Sequence, residues 1–131
     1  MVQVLPQSSG RYIALKVTGA VTADDQQTLA PFMQDRFSSG QELRILLWIE
    51  EFPGWSIRDM WDEMRLYHWP SNRIEKLAIV GESRVEEFIA WMSEIFSSSI
   101  VEFFPHEEID EAWKWLHADE GGEYLSFASF V

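Results

Sequence analysis

Pairs of adjacent carboxylates recur along the chain, at Glu50-Glu51, Asp62-Glu63, Glu86-Glu87 and Glu107-Glu108. General acid–base chemistry needs two carboxyls that face each other across a cleft with separated pKa values. Adjacent residues on a helix point in different directions, so most of these pairs read as solvated surface. Glu50 and Glu51 stand apart because they close an apolar strand, and ligands of open α/β sheets sit outside strand carboxyl ends. The three histidines, His68, His106 and His117, fall on separate segments with no His-Glu-x-x-His spacing, so no metal centre is expected. The absence of cysteine removes thiolate catalysis, disulfides and Cys-ligated metals. Gly-x-Ser-x-Gly, phosphate-loop and dinucleotide patterns are also missing. The expectation is a protein without catalytic residues or cofactor.

Aromatic side chains are the stronger lead. Seven Trp and nine Phe occur in 131 residues, more than one core of this size obviously needs. Trp91 and Trp115 lie off the main apolar stripes of their helices, and Trp55 and Trp69 bracket another helix. Such residues widen an apolar face beyond one stripe. They read either as filler in a wide core or as a ligand pocket, a partner surface or a membrane-touching lid. The candidate ligand-binding residues around the second helix are Phe52, Trp55, Trp61, Met64, Tyr67, His68 and Trp69. Phe88 and Trp91 on the third helix complete the set. Met60 and Met64 suit an adaptable pocket, because unbranched thioethers repack cheaply. His68 closes the apolar face of its helix and reads first as a hydrogen-bonded, partly buried histidine and second as a ligand contact.

The elements that must position these residues follow from periodicity. Val2–Leu5 and Arg11–Thr18 alternate about a Gln-Ser-Ser-Gly turn and read as a hairpin with an antiparallel edge strand. Thr22 is a good N-cap with Asp24 and Asp25 behind it. The first helix runs to about Phe37, burying Leu29, Phe32, Met33 and Phe37, with a kink or opening expected at Pro31. Leu43–Ile49 is an apolar run holding one charge, Arg44, and reads as a strand buried on both faces. Ser56 opens a second helix that stops before Pro70. Leu77–Val80 is a strand, and Ser83 with Glu86 caps a third helix. Ile100–Phe104 is the last strand, and a fourth helix carries Ile109, Ala112, Trp113 and Leu116. Strand–helix alternation requires crossovers, which are right-handed. The expected fold is α/β, a mainly parallel sheet of about five strands with four helices over residues 1–117. Residues 118–131 form a separate C-terminal extension, apolar from Tyr124 onward.

This layout resembles the SpoIIAA-like family, small bacterial proteins related to STAS domains. The matching phrases are Phe52-Pro53-Gly54-Trp55, Leu77-Ala78-Ile79-Val80-Gly81, and Phe103-Phe104-Pro105 with Glu107-Glu108 ahead of Ala112-Trp113-Lys114-Trp115-Leu116. The resemblance implies a right-handed βα superhelix, a non-enzymatic protein, and comparison with Sec14-type lipid carriers. Anti-sigma-factor antagonists of the STAS type carry Asp-Ser-Ser-Gly or a close variant where this chain has Pro-Gly-Trp-Ser-Ile-Arg. Ser56 therefore reads either as a plain N-cap or as a phosphorylation switch at a helix N-terminus.

Charge narrows the partners. Twenty-two acidic against ten basic residues give a formal net charge of −12 with no basic cluster, which disfavours nucleic acid and anionic lipid surfaces. The start of the chain lacks a basic region followed by an apolar stretch, so the expected location is the cytoplasm. The leading reading is a module holding a small apolar or amphipathic ligand, such as a lipid, between the sheet and its second and third helices. The second is an interaction module that docks a partner protein or a second copy through the same surface. Transient, apolar membrane contact is compatible with either.

Overall fold

The computed structural model describes residues 1–19, 21–50, 69–81 and 98–118. Five strands form one sheet in the order β1-β2-β3-β4-β5. They are β1 (Val2–Val4), β2 (Tyr12–Thr18), β3 (Leu43–Glu50), β4 (Ile74–Gly81) and β5 (Ile100–Pro105). β1 runs antiparallel to β2, and every other neighbouring pair is parallel. The mixed sheet and its antiparallel edge are as the alternation patterns predict. Two of the four expected helices are described, α1 (Ala23–Phe37) and α2 (Ile109–Leu116), the latter being the fourth in the sequence reading. The expected helices after Ser56 and Ser83 lie outside the described residues, as does the extension from residue 119. No described helix is long and apolar enough to cross a membrane.

The side-chain period of two divides the sheet residues between two cores. On one face, Ile13, Leu15 and Val17 of β2 meet Ile45, Leu47 and Ile49 of β3 and Leu77 and Ile79 of β4, all buried. α1 covers this face with Leu29 and Met33. On the other face, Ala14, Leu46, Ala78 and Val80 lie beneath Ala112, Trp113 and Leu116 of α2. The central strand is buried on both faces, which is why it reads as a continuous apolar run.

Local chemistry sets the ends of α1. The Thr22 hydroxyl accepts from the Asp25 backbone N–H at 3.2 Å, and the Asp25 carboxylate accepts from the Thr22 N–H at 2.8 Å, a reciprocal capping box. The same carboxylate takes the Val2 N–H at 3.1 Å and so ties the helix start to β1. Burial pushes the Asp25 carboxyl up, but these bonds from Thr22 and Val2, with the N-terminal ammonium, outweigh it and hold its pKa below the usual 3.8. Pro31 does not end α1, which remains a single helix of 15 residues. Proline forfeits one intrahelical bond, and the packing of Leu29 and Met33 on either side of it holds the helix together. Gly81, at the end of β4, stands where a Cβ would come within 3.3 Å of the Ile49 carbonyl, so the strands pass closely there.

Candidate functional site: a groove along α1

Among the described residues, those that line a hollow beside α1 come from two places in the chain. Ala23, Gln27, Ala30 and Gln34 recur at helical spacing and make one stripe of α1. Leu29 and Met33, on the neighbouring stripe, supply a buried apolar floor continuous with the core. Trp69 approaches from the segment before β4, and its ring meets that of Phe37 edge to face with centroids 6.0 Å apart. Between them lies an open groove of about 730 Å³. It extends from Ala23 to Ser38, and a 15-residue helix is about 22 Å long, so the groove is long and narrow. That volume lies within the range of small-molecule sites.

The groove's polar lining is neutral. Gln26, Gln27, Gln34 and Ser38 are its polar members, and no charged side chain lines it among the described residues. Two arginines stand close by and both are turned to backbone carbonyls. Arg36 donates to Gly10 O at 2.6 Å with its guanidinium 4.9 Å from the Phe32 ring centre. Arg73 donates to Phe37 O at 3.3 Å, where a cation also meets the negative end of the α1 dipole.

Of the ligand-binding residues read from the sequence, Trp69 is the one the structure describes, and it lines the groove. Phe52, Trp55, Trp61, Met64, Tyr67, His68, Phe88 and Trp91 lie outside the described residues, as do Ser56 and Glu51. Glu50 is described, and its carboxylate lies 3.7 Å from the Lys16 ammonium, an ion pair at the end of β2 and β3. The groove also brings in residues to which the sequence reading gave a core role or no role. Leu29, Met33 and Phe37 were expected to be buried, and Gln27, Ala30 and Gln34 were not singled out. The signal for them is the uncharged stripe itself, Ala23-Gln27-Ala30-Gln34, in a chain with a net charge of −12.

Several other aromatic rings are accounted for on the opposite face. Trp113 is fully buried beneath the sheet residues, with Tyr12 at 6.2 Å and the His117 ring at 4.8 Å. His117 stacks on Tyr12 at 3.8 Å, and its Nδ1 is hydrogen-bonded to the Trp113 carbonyl at 2.8 Å. Trp115 packs against Phe104 at 5.9 Å and lies beneath the Lys76 ammonium at 5.0 Å. Trp48 sits under the Lys16 ammonium, its cross-strand neighbour, at 4.2 Å. These rings serve packing and cation–π contacts.

A five-stranded mixed sheet with α1 on one face and α2 on the other defines a SpoIIAA-like fold. The crystal structure of an uncharacterised protein of the DUF3478 family with a SpoIIAA-like fold, from Shewanella loihica PV-4, superposes with a TM-score of 0.65. It is 24% identical in sequence, and the match covers 88% of this chain and 93% of that one. The SpoIIAA-like family model matches residues 12–117, and the chain belongs to that family. No curated protein matches it.

Proposed function

We propose that this chain is a non-enzymatic binding module of the STAS type that holds a small apolar or amphipathic molecule, a lipid among the candidates, against α1 and Trp69. The observation that carries this reading is the groove itself. A half-buried indole and a helix stripe free of charge flank a floor of core residues, Leu29 and Met33. An apolar hollow of that size with a few polar groups at its edge is the usual form of a small-molecule site. The sequence supports the same side of the molecule, because Trp69 ends the aromatic-rich segment that begins at Phe52. In this reading Trp55, Trp61, Met64, Tyr67, Phe88 and Trp91 contribute further contacts to the same ligand.

The test uses the full chain. Organic extraction of the freshly purified protein followed by mass spectrometry should return a stoichiometric apolar compound, or the emptied protein should bind a fluorescent fatty-acyl probe. Trp69→Ala should weaken probe binding at least fivefold while the far-UV circular dichroism stays unchanged. Absence of both a co-purified ligand and probe binding would sink the proposal.

A further inference from the structure

We infer that the groove along α1 takes a single-chain amphiphile with a carboxylate head, held by Arg73 at the Ser38 end with its tail running toward Ala23. This deepens the reading just proposed and rests on it. Basic residues are scarce in this chain, ten against twenty-two acids, and each has a wide choice of carboxylates. Arg11, Lys16, Arg44 and Lys114 all have one within 4.0 Å. Arg73 differs. It is half-buried, and among the described residues its side chain meets the Phe37 carbonyl at 3.3 Å and no carboxylate. That bond uses one donor of the guanidinium fork and cancels none of its charge.

The placement of Arg73 ties that charge to the groove. Phe37, whose carbonyl it meets, lines the groove, as do Gln34, Ser38 and Trp69 at the same end. Trp69 and Arg73 flank one tight turn, closed by the Arg73 N–H on the Pro70 carbonyl at 2.9 Å, so the indole and the guanidinium reach the end of α1 together. A guanidinium meets a carboxylate through two parallel charge-assisted hydrogen bonds, stronger than those between neutral groups. The exposed Gln34 amide can donate to the same head. Beyond the head, Ala30, Met33, Leu29 and Ala23 offer apolar contact along the helix to the tail. Two effects oppose an anion here, the negative end of the α1 dipole and the net charge of −12. Arg36 in the same last turn offsets the first. Salt screens the second beyond roughly 10 Å, whereas the head touches Arg73 directly. A guanidinium that merely capped α1 would be indifferent to the head group, and this separates the two roles.

The experiment compares decanoate with 1-decanoylglycerol at pH 8, below their aggregation thresholds, by isothermal titration of the full-length protein. Wild type should bind decanoate at least fivefold more tightly. Arg73→Gln should bring the two affinities within a factor of two of each other. Gln34→Glu, an exposed position that keeps the side chain's shape, should lower the preference for decanoate at least threefold and decides the matter if Arg73→Gln fails to fold. Acetate, the same head without a tail, should not displace decanoate at equal concentration. Equal or tighter binding of 1-decanoylglycerol by wild type, an unchanged ratio in either variant, or displacement by acetate would overturn this inference and leave the apolar-ligand reading standing. Failure of both decanoyl compounds to bind would remove that reading and this inference together.

Discussion

The sheet's two faces are built on different principles. Beneath α1, the inward residues are branched and aliphatic, Ile and Val alternating with Leu, and they pack against a helix of 15 residues. Beneath α2, a helix of only eight residues, the strands present small and charged side chains, Ala14, Ala78, Arg44 and Lys76, beside Leu46 and Val80. The small residues let the short helix approach, and Trp113 fills the space they leave. The charged pair holds the end of that helix. Arg44 donates to Leu116 O at 2.5 Å and to the Glu75 carboxylate, and Lys76 donates to Trp115 O at 3.1 Å. Arg44 and Lys76 are register partners, so the two cations sit side by side beneath the last turn of α2. There they satisfy orphan carbonyls and complement the negative end of the helix dipole. One face therefore gains its stability from apolar area, and the other from one large ring and a polar clasp. The difference bears on function: the clasped face is closed by α2, whereas the aliphatic face carries the groove.

Breaking the contrast should begin with its largest side chain. Trp113→Ala should cost about 4 kcal/mol in urea unfolding, more than the roughly 3 kcal/mol expected for Leu47→Ala on the α1 face. Equality of the two would mean that α2 is not anchored chiefly by that ring. Arg44→Ala should cost about 3 kcal/mol, because it strands the Leu116 carbonyl at a site where Arg44 is only 3% exposed. A loss below about 1 kcal/mol would show that water replaces the clasp. Ala78→Leu should cost about 2 kcal/mol by overpacking, since α2 rests directly on a fully buried methyl group. Stabilisation by that substitution would expose a void beneath the helix.

The smallest effect sharpens the α1 side. Asp25→Ala should cost about 1 kcal/mol at neutral pH through loss of the capping box. Because the folded carboxyl titrates below its ordinary value, its contribution is present above the unfolded pKa of 3.8 and fades as pH falls through the lowered one. The wild type should therefore lose more stability than Asp25→Ala between about pH 5 and pH 2. Parallel stability profiles for the two proteins would contradict this assignment.

How far the molecule is legible in its residues varies by element. Arg11–Thr18 and Leu43–Ile49 announce their strands, because alternation or a continuous apolar run is a local property of the chain. Thr22 followed by Asp25 marks the start of α1 for the same reason. The stripe of Ala112, Trp113 and Leu116 names the buried face of α2 in advance. Pro31 lies inside α1, which runs through it to Phe37, the limit that the apolar spacing predicts. Strand limits also shift outward, β4 beginning at Ile74 rather than Leu77, because Ile74 and Lys76 pair with Leu43 and Arg44 of β3, with Glu75 at the irregularity between them.

By itself the sequence determined the α/β class, the antiparallel edge, the parity that sends each strand residue to one face, and the family. Only the tertiary structure decided what Arg44 and Lys76 are for, since their partners on α2 lie 72 and 39 residues away. It alone joined the Ala-Gln stripe of α1 to Trp69 as the two walls of one groove. The reason is physical. Periodicity encodes the direction in which a side chain points, whereas the group it meets depends on register and helix placement, settled by distant parts of the chain packing together.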